Sequence, residues 1–192
     1  MKLIESQTYL NLAKAFASEC QARVRYEFIE YGARQQGYKA IAEIIDKIIY
    51  NEFNHARMFY TKLQDAEIKQ IDNIEIKGGF PFKEKWDLAA NLKLAAEDEE
   101  AEVKLYPEFA AKAKEEGFPD IATLFKNIAA IEKQHQKTFT EMYKQLNGGS
   151  IYKRKESVRW KCPACGYETT GKAAFKTCPV CGEKQGSVLL IL

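Results

Sequence analysis

Four apolar stripes run through residues 1–147, and acidic residues interrupt each one near its middle. Apolar side chains recurring at steps of three and four mark one face of a helix. The pattern predicts helices over about Ser6 to Ala33, Tyr38 to Asp65, Lys83 to Glu116 and Pro119 to Leu146. The first stripe reads Tyr9, Leu12, Phe16, Glu19, Arg23, Tyr26, and the second Ile41, Ile45, Ile48, Glu52, His55, Phe59. The third reads Leu88, Leu92, Ala95, Glu99, Glu102, Tyr106, Phe109, Ala113, and the fourth Ile121, Phe125, Ile128, Glu132, His135, Phe139, Met142, Leu146. Ser6 suits an N-cap, and Gly32, Gly37, Gly117 and the pair Gly148 and Gly149 suit helix ends. Four long amphipathic helices make a bundle. About 17 residues, AEIKQIDNIEIKGGFPF at 66–82, separate the second helix from the third, which implies a crossover and would also allow helix pairs to exchange between subunits.

Five carboxylates in one core layer oppose folding. Removing a single ion from water costs several kcal/mol even after relaxation, against a whole-domain margin of about 5–15 kcal/mol. Two Lys or Arg side chains could not reach all five, but two divalent cations could, with imidazoles as neutral ligands. The chain has two histidines, His55 and His135, and each lies in a Glu-x-x-His frame, NEFNHARMF at 51–59 and IEKQHQKTF at 131–139. Residues at i and i+3 share a helix face, so each frame aims a carboxylate and an imidazole at one point. The halves match in register: Glu19 is as far from Glu52 along the chain as Glu99 is from Glu132, and Glu19 is as far from Tyr26 as Glu99 is from Tyr106. The pattern predicts a two-metal site with pseudo-twofold symmetry and one imidazole per metal. On the third helix, Glu97 and Glu100 share a face with Lys93 and Lys104, which reads as solvent, whereas Glu99 and Glu102 share the apolar face. Pro107 removes one helix hydrogen bond and should bend this helix just past the site.

The remainder of the chain differs in composition. Residues 148–192 hold eight Lys/Arg against three Asp/Glu, while residues 1–147 hold 21 against 24. NGGSIYKRKES reads as a linker, and the stretch from Val158 is too short to build an apolar core, so a metal must hold it. CPAC at 162–165 and CPVC at 178–181 are each followed by Gly. Four thiolates suit iron or zinc in a tetrahedral site. The fifth cysteine, Cys20, reads as a small packing residue. The expected division is a bundle over 1–147, a linker over 148–157 and a four-cysteine module over 158–192.

Taken together, AFASECQARVRY, NEFNHARMF, LYPEFAAKAKEEGF, IAAIEKQH and RWKCPACGY…CPVCG make the chain resemble rubrerythrins over essentially its whole length. The resemblance implies an all-α four-helix ferritin-like bundle followed by a small C-terminal β-rich rubredoxin-like metal module. By position, Glu19, Glu52, His55, Glu99, Glu102, Glu132 and His135 take the di-iron ligand roles, and Cys162, Cys165, Cys178 and Cys181 bind a single iron. Zinc could replace that iron on heterologous expression. The implied activity is a peroxidase that reduces hydrogen peroxide to water, using electrons from reduced pyridine nucleotide passed through a reductase or rubredoxin. In the family one iron moves between a Glu and a His, by position Glu102 and His55, and tyrosines at Tyr26 and Tyr106 hydrogen-bond ligating carboxylates. The family also implies a head-to-tail homodimer in which one subunit's module serves the other's di-iron site. EVKLYP is one residue shorter than the family pattern between the second Glu of helix three and Tyr106. A ferroxidase or oxygen reductase would use the same bundle, and a zinc-holding protein the same ligands.

The overall charge of +2 points to no nucleic-acid partner. The opening MKLIESQTYLNLAKAF lacks an apolar export signal, and charge breaks every apolar run well short of a membrane span, so a cytoplasmic location is expected.

Overall fold

The computed structural model describes residues 2–66 and 87–192. Four helices carry the first part: α1 (Gln7–Gln35), α2 (Lys39–Gln64), α3 (Leu88–Glu115) and α4 (Pro119–Asn147). Ser6 caps α1, its hydroxyl accepting from the Tyr9 amide, and Asp87 caps α3 by accepting from the Ala90 amide. The described part of the third helix begins at Leu88, behind this capping residue; the predicted start near Lys83 falls on residues 83–86, which with the connection at 67–82 lie outside the described residues. Helix α3 runs without interruption through Pro107.

The two helix pairs turn in the same way. Gly37 and Gly117 both hold positive φ, 81° and 90°, a region that costs glycine nothing. Each lets the next amide reach back across the helix end, Tyr38 N to Ala33 O at 2.9 Å and Phe118 N to Ala113 O at 2.8 Å. The shift along the chain from Gly37 to Gly117 equals the shift from Glu19 to Glu99. Lys62 near the end of α2 pairs with Asp120 at the start of α4 at 2.8 Å, whereas Leu88 at the start of α3 packs with Ile29, Ala33 and Met142 at the other end. Helices α2 and α3 therefore run parallel, the topology of a crossover bundle.

Two apolar clusters fill the bundle. One gathers Leu12, Phe59, Leu63, Tyr106, Phe125 and Ile128; the other gathers Tyr26, Ile41, Ile45, Leu92, Phe139 and Met142. The acidic layer lies between them, so the core is split in two by charge. Arg23, placed in the first stripe by periodicity, sits at the rim instead. It pairs with Glu27 at 3.1 Å and lies over the Phe53 ring, while Ala22 takes the inner position. Arginine keeps its charge in water by reaching outward.

The last part is a two-stranded antiparallel sheet, β1 (Lys153–Lys161) and β2 (Glu168–Ala173), paired from Val158–Gly171 to Lys161–Glu168, with an irregularity between Lys153 and Val158. Its own core is small: Trp160, Ala174 and Val188 are buried, and the Trp160 indole donates to Gly171 O at 3.0 Å. The module rests on the α1–α2 turn of its own chain. Lys39 pairs with Glu183 at 3.8 Å, and Gly186 approaches so closely that a Cβ there would overlap the Gly37 carbonyl oxygen. Tyr38 and Tyr152 stack, and Arg154 binds Gln145 Oε1 at 2.7 Å and Ile191 O at 2.8 Å. Nothing in the periodicity of the helices pointed to this contact.

Candidate metal centres

Glu19 on α1, Glu52 and His55 on α2, Glu99 and Glu102 on α3, and Glu132 and His135 on α4 form one layer across the bundle, none of them more than 6% exposed. Glu97 and Glu100 face outward and pair with Lys93 and Lys104 at 3.5 and 2.6 Å. Six of the seven layer residues converge in two overlapping groups, Glu19, Glu52, His55 and Glu132, and Glu52, Glu99, Glu132 and His135. Within each group the ligand atoms lie within 4.8 Å of one another, and Glu52 and Glu132 belong to both. The shift in sequence that carries Glu19 to Glu99 also carries Glu52 to Glu132 and His55 to His135, so it converts one group into the other.

The distances follow the same symmetry. His55 Nδ1 is 2.8 Å from Glu132 Oε1, and His135 Nδ1 is 2.9 Å from Glu52 Oε1. Each imidazole also meets the carboxylate of its own frame, His55 at 3.3 Å and His135 at 2.7 Å, and the outer carboxylate, Glu19 at 3.5 Å and Glu99 at 3.8 Å. The two rings stack with centroids 5.8 Å apart. Close approach does not here mean satisfaction. Glu19 Oε2, Glu52 Oε1, Glu99 Oε2, both Glu132 oxygens and His135 Nδ1 are buried without a hydrogen-bond partner of good geometry. Such orphaned groups normally cost about 1–3 kcal/mol each, more when charged. Lone pairs that crowd together without hydrogen bonding fit cations at the two points of convergence, and mixed carboxylate and imidazole ligands suit iron.

The electrostatics describe the same strain. Burial, then the Glu102 charge, raises Glu19 well above the carboxylate range, and burial followed by the charges of Glu52 and Glu132 does the same to Glu99. Burial and the Glu132 charge bring Glu102 to about 8, against the pull of the Ser18 hydrogen bond. Burial alone would lower the histidines, but their carboxylate contacts outweigh it and lift His55 to about 12 and His135 to about 9. Burial would raise Glu52, yet His135 and His55 draw it down to about 2. Without cations the site holds its charge together with protons.

Tyr26 donates to Glu99 Oε1 and Tyr106 to Glu19 Oε1, both at 2.6 Å. Burial raises both phenols well above their ordinary range, so both keep the proton they donate. Each ring packs on the partner half's phenylalanine, Tyr26 on Phe139 and Tyr106 on Phe59. The step from Glu19 to Tyr26, repeated from Glu99 to Tyr106, is close to two helical turns, so each tyrosine stands on its glutamate's face and the two bonds are reciprocal. Glu102 lies in the same layer but outside both groups, where its Oε1 accepts from Ser18 Oγ at 2.6 Å. Sequence reasoning missed Ser18, and a lone serine beside Glu19 carries no signal that could have found it. It also missed Arg25, which is bonded to Asp98. Cys20 is exposed rather than packed, because the position after Glu19 is rotated away from the core face; it borders a shallow groove with Phe16, Arg23, Phe53 and Tyr60.

In the module, Cys162, Cys165, Cys178 and Cys181 converge. Cys162 Sγ is 3.7 Å from Cys181 Sγ, and Cys165 Sγ is 3.6 Å from Cys178 Sγ. A tetrahedron with metal–sulfur bonds of about 2.3 Å has edges of roughly 3.8 Å, whereas a disulfide needs about 2.05 Å. The two knuckles are alike: Gly166 N donates to Cys162 O and Gly182 N to Cys178 O, both at 3.0 Å. Burial would raise the Cys178 thiol, but the amides of Cys181 and Val180 bring it to about 7.

Comparison with known proteins agrees with this pairing of centres. The Rubrerythrin family model matches residues 11–97 and 90–172, and the model for the rubrerythrin rubredoxin-like domain matches residues 160–187. A rubrerythrin of Clostridium perfringens is 41% identical over 177 residues, 92% of this chain and 90% of the relative. One from Porphyromonas gingivalis is 38% identical over 181 residues, covering 94% and 88%. A solved structure of partially reduced nigerythrin superposes with a TM-score of 0.63 at 25% identity, covering 96% of this chain and 86% of that one. The fold is a ferritin-like bundle carrying a rubredoxin-like module. The chain belongs to the rubrerythrin family, with a carboxylate and histidine di-iron site and a four-cysteine iron site. Among the described residues no helix is long and apolar enough to cross a membrane.

Proposed function

We propose that this protein is a peroxidase that reduces hydrogen peroxide to two waters, taking two electrons and two protons per turnover. The observation that carries the reading is that one chain brings together two symmetry-related carboxylate and imidazole groups and four converging cysteines. When bound, the iron pair supplies the two electrons for peroxide, and the four-cysteine iron supplies a one-electron relay for their return. Glu52 and Glu132 are read as the shared ligands, Glu19 and His55 as the remainder of one set and Glu99 and His135 as the remainder of the other. Tyr26 and Tyr106 fix the outer carboxylates. The apolar clusters on both sides keep water from competing for the buried oxygens. No side chain acts as a nucleophile. The test mixes anaerobically reduced protein with stoichiometric peroxide or with air-saturated buffer and follows di-ferric absorption. Peroxide should act at least roughly tenfold faster, about 1.4 kcal/mol of barrier. Equal or faster oxidation by oxygen sinks the peroxidase reading in favour of an oxygen reductase or ferroxidase. A colourless module without thiolate-to-iron absorption sinks the electron relay in favour of zinc.

The electron donor is read as a reductase or rubredoxin, and the working unit as a head-to-tail homodimer. The module sits at the α1–α2 turn, and the stretch of α4 from His135 to its end at Asn147 is roughly 18 Å of helix. That is a long way for an electron to travel within one subunit, and a partner's module would shorten it. Mixing Cys178→Ser protein with Glu52→Ala protein under subunit exchange should restore about one working path per heterodimer; verified exchange without recovery counts against the crossed route.

A further inference from the structure

The sequence offset that relates the two halves fails at one place. Glu102 would have Ala22 as its counterpart, and Ser18 would have Asp98. Ala22 is fully packed and carries no polar side-chain atom, and Asp98 is taken up by Arg25. Only the α3–α4 half therefore has a fifth carboxylate, and only the α1–α2 half has a hydroxyl placed to meet it. Glu102 lies one turn beyond Glu99 on the inner face of α3, in the same buried layer, yet its carboxylate is turned to Ser18 on α1. Ser18 and Glu19 are consecutive, so α1 presents a hydroxyl and a metal-facing carboxylate side by side, and α3 answers with Glu102 to the first and Tyr106 to the second.

We propose that Ser18 is a positioning residue that holds the Glu102 carboxylate off the metal pair, so that Glu102 joins the pair only when this bond is released. The proposal rests on the reading that Glu102 belongs to the ligand complement of the di-iron site. A neutral hydroxyl suits the task. It stabilises a buried carboxylate without neutralising it, whereas the arginine that holds Asp98 would lock its partner by charge. The bond is single, and rotation about the Glu102 side chain breaks it without moving either helix.

The test reads the reduction potential of the iron pair and its Mössbauer spectrum in both oxidation states, together with the melting of the metal-free protein. In Ser18→Ala the carboxylate is no longer held away, so it should join the pair in both states. An added anionic ligand favours the ferric form, and the potential should fall by about 59 mV or more, tenfold in a one-electron equilibrium. Ser18→Thr, which keeps the hydroxyl, should restore the parental potential and spectrum. The double variant Ser18→Ala with Glu102→Ala should match Glu102→Ala alone, because Ser18 acts only through Glu102. Glu100→Ala, on the solvent face, is the control and should change nothing. A Ser18→Ala potential and spectrum identical to the parent, while Glu102→Ala shifts both, overturns the latch and leaves the role of Glu102 standing. If Glu102→Ala shifts neither, Glu102 does not serve the metal pair and the underlying reading fails. Additive effects in the double variant also overturn the proposal. Equal melting of the metal-free variants separates these outcomes from loss of fold.

Discussion

In the α1–α2 half of the bundle, Glu19, Glu52 and His55 surround one point of convergence, and in the α3–α4 half Glu99, Glu132 and His135 surround the other. The cross-half imidazole contacts, 2.8 Å for His55 and 2.9 Å for His135, are nearly equal, and both tyrosine bonds are 2.6 Å. Away from these atoms the halves part. One has Ser18 and Ala22 where the other has Asp98 and Glu102. The symmetric part is what two like cations require, since each needs a similar set of ligands. The asymmetric part is where the two ions can be made to behave differently.

The strongest way to break the comparison is to remove a residue that the two groups share. Glu52 and Glu132 each belong to both groups, so alanine at either position should release both ions. The loss in metal affinity should exceed the roughly 10–100-fold typical of partners that only orient a ligand. Metal analysis after dialysis against a chelator reads it, and the two variants should match. If Glu52→Ala empties the site while Glu132→Ala keeps one ion, the twofold description fails.

Much of this was legible in the sequence, because the chemistry imposes it locally. The Glu-x-x-His frames and the matched spacings of Glu19, Tyr26 and Glu52 with Glu99, Tyr106 and Glu132 follow from helical periodicity, which needs no knowledge of neighbouring elements. Four cysteines in two knuckles constrain one another over a few residues. What periodicity could not supply was contact between elements distant in the chain. The Ser18–Glu102 bond, the Arg25–Asp98 pair and the seat of Gly186 on Gly37 depend on how helices are rotated and where the module docks. Arg23 was misplaced for a related reason: a step of three or four residues locates a face only to within part of a turn, and positions at its edge are decided by packing. Cys20 was read from residue type alone, although its place directly after Glu19 turns it off the core face.

Protons sharpen the comparison in the metal-free protein. His55 and His135 are counterparts, yet their folded pKa values are about 12 and about 9. Both lie above the ordinary value of 6.5, so the stabilisation they give is complete below pH 6.5 and is lost as pH rises through the folded values. Glu102, raised to about 8, changes stability in the same direction. For His135 alone the loss by about pH 9 is on the order of 3 kcal/mol. Thermal unfolding of metal-free protein between about pH 6 and 10 should show the midpoint falling, and iron should bind more tightly as pH rises because it displaces these protons. His135→Asn should remove its share of the slope between about pH 6.5 and 9, whereas His55→Asn should remove a share that begins at the same pH and continues above pH 9. A midpoint that climbs with pH, or identical slopes in the two variants above about pH 9, breaks this account.

The smallest expected effect concerns the tyrosines. Tyr26→Phe frees Glu99, and Tyr106→Phe frees Glu19. Each variant keeps the aromatic packing on Phe139 or Phe59 and loses one hydroxyl. Phenylalanine leaves the carboxylate one donor short in a buried site, so iron should be held less tightly, by about tenfold at the affected position, within the range seen for partners that orient a ligand. If the pseudo-twofold extends to these bonds, the losses should be equal and should fall on different ions, so the double variant should weaken both. Unequal losses would locate the asymmetry. Tyr106 and Glu102 lie on the same face of α3, so a greater loss in Tyr106→Phe would mean that Glu19 and Glu102 compete for one place beside the metal, and the loss should then return to the Tyr26→Phe value in a Glu102→Ala background. Equilibrium titration of ferrous ion under anaerobic conditions, with the two ions resolved by Mössbauer spectroscopy, distinguishes these outcomes.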